Sequence, residues 1–234
     1  MMRFVLLLLC TTGVSQCLHA ENSMVDQVEA AIVKQTNTFR EKHDLPPVEV
    51  DPALTKTASK FAKFMAESGK YGHHADGKSP AQRAKESGYE YCVVRENIAY
   101  RTNTGEITAE GLIDVFVQGW IDSPPHRENM LADYVTQTGV AVATSDQTTY
   151  YAVQLFGRPK SAAIRLKIEN ESDEPQTLHV EANDSADEIE MPPRTVFTMT
   201  RCFPTTLRVQ HSDSEVSVNE SVELTITEDG VIKK

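Results

Sequence analysis

An α+β fold is predicted for this chain by two changes of hydrophobic period. Helical spacing fills most of the first 130 residues, an apolar hairpin pattern follows, and strict alternation takes over after residue 160. Val25, Val28, Ile32 and Phe39 share one helical face, with Ala31 and Thr36 beside them, which predicts a helix over 25–39 that ends before Asp44, Leu45, Pro46 and Pro47. Asp51 as a cap and Pro52 at the first position start a second helix. It carries Leu54, Ala58, Phe61, Ala62 and Met65 inward and stops near Gly69. Gln82 to Gly88 reads as a short helix closed by glycine.

Leu112, Val115, Phe116, Gly119 and Trp120 continue the helical spacing until Pro124 and Pro125 interrupt it. Ser123 then suits the cap of a new short helix with Pro124 first, placing His126 in its opening turn at a chain reversal. Gly139 to Ala143 and Tyr150 to Phe156, separated by Ser145, Asp146 and Gln147, read as a hairpin. Beyond Arg158 and Pro159, Ile164, Leu166 and Ile168 alternate with Arg165, Lys167 and Glu169. The pattern recurs at Leu178/Val180, Leu207/Val209, Val216/Val218 and Val222/Leu224/Ile226, so residues 161–234 are expected to form a small antiparallel all-β domain.

The first twenty residues hold Arg3, an apolar run from Phe4 to Leu9 and a small residue at Ala20. That run is too short to span a bilayer, so residues 1–20 are expected to be a secretory signal peptide, and no later segment is apolar enough to cross a membrane. Residues 21–234 then carry 22 basic and 34 acidic side chains, a charge of −12, with −8 of it in 161–234. Such a surface repels phosphate backbones, which argues against nucleic acid as a partner. Only Cys92 and Cys202 remain after residue 20. In an oxidising compartment they are expected to pair and join the two domains, with a chain-entropy ceiling of roughly 4–5 kcal/mol for so long a loop. Asn170, Asn183 and Asn219 each begin a glycosylation triplet.

Three positions suggest chemistry. His73 and His74 lie in a glycine-bounded loop that can aim an imidazole at a neighbouring element. Glu96 sits between Arg95 and an apolar run, which turns its carboxylate partly inward. On spacing alone Glu96 equally fits an ion pair with Arg95, and His126 fits a surface histidine near a cap. His179 and His211 stand alone and read as ordinary strand or turn residues.

Taken together these stretches resemble the CAP superfamily of cysteine-rich secretory, antigen-5 and pathogenesis-related proteins, in its bacterial form. The matching pieces run in family order across residues 28–157: Asn37 to Arg40 with Leu45, Pro46 and Pro47; Leu54, Ala58, Ala62, Met65 and Ala66; His73 with Asp76 and Gly77; Glu96 to Tyr100; Trp120 to Leu131; and Gly139 to Gly157. The resemblance implies a three-layer α/β/α sandwich over residues 21–160, in which His73, Glu96 and His126 converge on a cleft. His73 is preferred to His74 because its distance to Asp76 and Gly77 suits the family pattern. Animal members carry a glutamate three residues after the tryptophan. Here that position is Ser123, and Asp122 is only a weak substitute.

Two neutral imidazoles and a carboxylate suit a divalent ion such as zinc, with water completing the shell, although two protein ligands predict weak binding. The expected function is therefore an exported, monomeric binding module for a cation and for a small-molecule, lipid or protein ligand. The alternative is a metal-dependent hydrolase with Glu96 as the base, and the sequence leaves open whether the protein is an enzyme. A third reading makes residues 161–234 an adhesive part.

Overall fold

The computed structural model describes residues 13–234 apart from 184, 228 and 229, with side chains from residue 24 onward. Residues 1–12, the larger part of the expected signal peptide, lie outside the described residues. Helix α1 (Gly13–Glu41) starts earlier than the amphipathic pattern alone marks and ends near the predicted stop. Helix α2 (Pro52–Ser68) has the expected cap: Asp51 accepts from the amides of Ala53 and Leu54, and Gly69 closes the last turn at φ 67°. Helix α3 (Pro80–Glu86) opens with a reciprocal Ser79–Gln82 capping box. Helix α4 (Ala109–Ile113) passes through a π-helical turn (Asp114–Gln118) into α5 (Gly119–Asp122), and α6 (Pro124–Leu131) follows the break at Ser123.

These helices sandwich a four-stranded sheet of β1 (Glu49–Val50), β2 (Tyr91–Thr102), β3 (Gln137–Thr144) and β4 (Thr149–Pro159), in the order β1-β3-β4-β2. The hairpin is β3–β4, β2 pairs antiparallel to β4, and the short β1 pairs parallel to β3. Along β4 the residues alternate between two cores. Tyr150, Ala152 and Phe156 meet Val28 and Ile32 of α1, Phe116, Trp120 and Met130 on one face. Tyr151, Val153 and Leu155 meet Leu54, Phe61 and Met65 of α2 and Ala84 of α3 on the other. This is the three-layer α/β/α arrangement. At Gly139 a Cβ would fall 2.2 Å from the backbone of Leu54, so any side chain there would push α2 off the sheet.

The remaining strands form two four-stranded sheets around a core of their own, built from Ile164, Leu166, Ile168, Leu178, Val180, Leu207, Leu224 and Ile226 among others. One sheet orders β10 (Glu215–Val218), β9 (Thr205–Val209), β6 (Gln176–Ala182) and β7 (Ser185–Met191). The other orders β12 (Gly230–Lys233), β11 (Val222–Thr227), β5 (Ile164–Asn170) and β8 (Val196–Arg201). All pairs are antiparallel except β5–β11, which is parallel. The chain enters β11 from a strand of the opposite sheet, and only a tight turn between neighbours forces antiparallel order. Asn170 is fully buried and its amide donates to Glu174, Met191 and Pro192 carbonyls, which withdraws it as a glycosylation acceptor in the folded chain.

The Cys92–Cys202 disulfide forms as expected, with Cα atoms 5.2 Å apart, and ties the start of β2 to the segment after β8. Tyr134 packs edge-on against Phe203 beside it, at 4.8 Å. Among the described residues no helix is long and apolar enough to cross a membrane.

Candidate functional site

The candidate site wraps around β2, the edge strand of the central sheet. Consecutive residues on a strand point to opposite faces, and here that separates two tasks. Glu96 turns toward the α2–α3 side, where its side chain is only 1% exposed, and Asn97 turns toward α6.

On the first side, Glu96 Oε1 lies 2.8 Å from His73 Nδ1. Arg83 of α3 donates Nη2 to Glu96 Oε1 and Oε2 at 3.0 and 2.8 Å, and to the carbonyl of His73 at 2.9 Å. Its Nη1 donates to Asp76 at 2.8 Å and to the Lys78 carbonyl at 2.9 Å, while Phe61 lies flat beneath the guanidinium at 3.5 Å. One buried arginine thus fixes the carboxylate, the histidine backbone and the loop between them. The short distance between His73 and Asp76 in sequence is what lets Arg83 hold both. Glu96 does pair with an arginine, but with Arg83 and not with its neighbour Arg95, which points away to Glu128 and the Tyr134 hydroxyl.

On the second side, the Asn97 amide donates to the His126 carbonyl at 3.1 Å, and Asn129 donates to Asn97 Oδ1 at 2.8 Å and to the Glu96 carbonyl at 3.1 Å. These amides clip the first turn of α6 onto β2. Ser123 occupies the predicted cap position and Pro124 the predicted first position, but the serine hydroxyl makes no bond to the helix backbone. It lies 2.9 Å from His126 Nδ1 instead. The far end of α6 is anchored by Arg40 of α1, fully buried without an ion pair among the described residues. Its guanidinium donates to the carbonyls of Pro46, Met130, Ala132 and Val135.

His73 and His126 therefore approach from the two helical layers. Burial lowers the His126 pKa below its ordinary 6.5, and the nearby His73 lowers it further. Both Nδ1 atoms have protein partners, which leaves the two Nε2 atoms for a ligand. The His73 side chain keeps 44% of its surface exposed, and His74, one residue on, is exposed as well. Above the site, the Ile98 carbonyl accepts from Trp120 Nε1 and from the Tyr71 hydroxyl. Burial raises the Tyr71 pKa, and Tyr100 and Glu96 raise it further. Among the described residues no three His, Cys, Asp or Glu side chains gather as a metal cage, so a cation here would take two imidazoles and complete its shell from outside the chain.

Of the residues that the sequence singles out, the structure joins His73 to Glu96 and sets His126 near His73, and it adds Arg83, Asn97 and Asn129, which the sequence does not single out. The asparagines lay within the family-like stretches, next to named residues. Arg83 gave no signal, because an arginine on a short polar helix reads as solvated.

A profile of the cysteine-rich secretory protein family, CAP, matches residues 33–156, just over half of the chain. The chain belongs to the CAP family. Among curated proteins it is 32% identical over 124 residues to the protein YkwD of Bacillus subtilis, a span of 53% of this chain and 45% of that one. It thus spans less than half of the length of that relative. Among solved structures it is similar to an outer surface protein of Borrelia burgdorferi, with 24% identity, a TM-score of 0.48, and coverage of 55% of this chain and 90% of the other. It is also similar to an extracellular SCP-domain protein of Bacillus anthracis, with 25% identity, a TM-score of 0.44, and coverage of 58% and 41%.

Proposed function

We propose that this CAP protein is exported and acts as an extracellular binding module in which His73 and His126 hold a divalent cation such as zinc, or a small ligand in its place. The observation that carries the reading is the engagement of both Nδ1 atoms, by Glu96 at 2.8 Å and by Ser123 at 2.9 Å. A partner on one ring nitrogen fixes the tautomer and orients the other nitrogen as a donor to a metal. The lowered pKa of His126 keeps that imidazole in the neutral, ligating form at neutral pH. When bound, zinc would supply a Lewis acid and a water of lowered pKa.

Glu96 serves in this reading as an orienting carboxylate. Both of its oxygens face Arg83 and one faces His73, so a role as general base toward a bound water has less support than the binding role. The reading takes residues 21–160 and 161–234 as separate domains, supported by their separate apolar cores. Isothermal titration of the purified protein with zinc is expected to give one site, with affinity at least tenfold weaker in His126→Ala and in His73→Ala. Equal affinity in the folded variants would remove the metal reading.

A further inference from the structure

The three sheets of the described residues each end in two edge strands, and an edge offers a row of main-chain N–H and C=O groups to any further strand. Five of these six edges carry a guarding charge: Glu49 on β1, Arg101 on β2, Glu188 on β7, Glu215 on β10 and Lys233 on β12. Strand β8 is the exception. From Val196 to Thr200 it has no charge, no proline and no glycine, and Arg201 comes only at its end.

The direction of its free groups follows from the register. The Asn170 amide donates to the Thr195 carbonyl at 2.9 Å, and the next residues, Glu169 and Val196, are also opposite each other. Bonding alternates along an antiparallel pair, so Phe197, Met199 and Arg201 turn their amides and carbonyls to β5, while Val196, Thr198 and Thr200 turn theirs outward. Side chains alternate as well. Phe197 and Met199 lie on the core side with their opposite numbers Ile168 and Leu166, yet Phe197 stays 38% exposed where Ile168 is fully buried. At the other side of the sandwich the inward Val218 of β10 and Val231 of β12 are covered. The core is thus open along β8.

We propose that β8 pairs with β8 of a second copy of this chain, antiparallel about a two-fold axis at Thr198, in place of the monomer expected from the sequence. In that register Thr198 faces Thr198, Val196 faces Thr200 of the other copy, and each outward amide and carbonyl finds a partner. The same register sets Phe197 opposite Met199 of the other copy, twice by symmetry, which covers the exposed ring with a sulfur–aromatic contact. The strand is complementary to itself, and this favours a second copy over a foreign strand. Both copies bring the β7 carboxylates to the same side, and salt near physiological strength screens them beyond about 8 Å. The pairing does not depend on the histidine site.

The test is sedimentation equilibrium of the purified protein over a concentration series at physiological salt, with hydrogen exchange read along β8. A rise from the mass of one chain to that of two is expected, with the Val196, Thr198 and Thr200 amides exchanging more slowly as the dimer fills. Thr198→Pro removes an outward donor and Thr198→Lys sets like charges face to face, so each is expected to weaken dimerisation at least tenfold. Thr198 is exposed and its amide faces away from β5, so the lysine variant keeps the fold. A single-chain mass at every concentration would overturn the second copy, whether the edge then takes a foreign strand or water. A dimer with unchanged Kd in Thr198→Lys, or one whose three outward amides stay unprotected, would overturn it as well.

Discussion

The hydroxyl of Ser123 lies 2.9 Å from Nδ1 of His126, three residues on, and leaves the backbone amides of α6 uncapped by a side chain. A serine at a helix N-terminus ordinarily turns to those amides. Here it orients an imidazole, while the partner histidine, His73, is oriented by a carboxylate. Outer partners of ligating histidines are worth about 10–100-fold in metal affinity. A neutral hydroxyl belongs at the low end, so Ser123→Ala is expected to weaken zinc binding about tenfold with little change in unfolding midpoint, measured by calorimetry and urea titration. Ser123→Glu would supply a charged partner and is expected to tighten binding.

His126 should also leave its mark on the pH dependence of stability. His126 has a folded-state pKa below 6.5, chiefly from burial and then from His73. Between that lowered value and the ordinary unfolded one, the unfolded chain binds more protons, so stability falls as the pH drops through this window. The loss is complete below the folded pKa, and above 6.5 the group contributes no slope. With a chelator present, the drop in urea midpoint from pH 7.5 to 5.5 is expected to be smaller in His126→Gln than in the parent. Equal drops would show that His126 is not held neutral.

Glu96 and Arg83 test the buried pair. Breaking such a pair on one side leaves an uncompensated charge at a cost of about 3–5 kcal/mol. Asp76 still faces Arg83 in Glu96→Gln, so a loss near the lower end, about 3 kcal/mol, is expected from denaturant unfolding. Zinc affinity should fall as well, because His73 loses its anionic partner. A variant with unchanged stability would mean that the carboxylate is not held in the pair.

The legible part of this fold was the part written in period. The apolar faces of α1 and α2, the β3–β4 hairpin and the alternation after residue 160 all follow from spacing, and the Cys92–Cys202 pairing follows from having two cysteines left. Strand β2 was not legible as a strand. Its run mixes Arg95, Glu96 and Asn97 with apolar residues, since both of its faces serve the site and not one core. Glu96 drew notice as a charge beside an apolar run, but its true partner Arg83 lies thirteen residues earlier on another element. Contacts of that kind depend on how α3 docks against β2, which no local pattern encodes.

Arg40 carries the same lesson into stability. It sits in the stretch from Asn37 to Arg40 that resembles the family, where spacing alone makes it the last basic residue of a helix. Folded, it is fully buried and bonded to four carbonyls, three of them at the end of α6 and in the loop to β3. Burial lowers its pKa from the usual range, and the charge of Asp133 works the other way. Arg40→Met keeps much of the volume but strands these carbonyls, each worth roughly 1–3 kcal/mol when unsatisfied. A loss of at least about 3 kcal/mol is expected. Arg40→Lys retains the charge but not the planar fork, and should recover only part of it. Because Arg40 sets the far end of α6, the folded lysine variant should also bind zinc more weakly than the parent. Parent-like affinity and stability in Arg40→Lys would show that α6 is positioned by Asn97 and Asn129 alone.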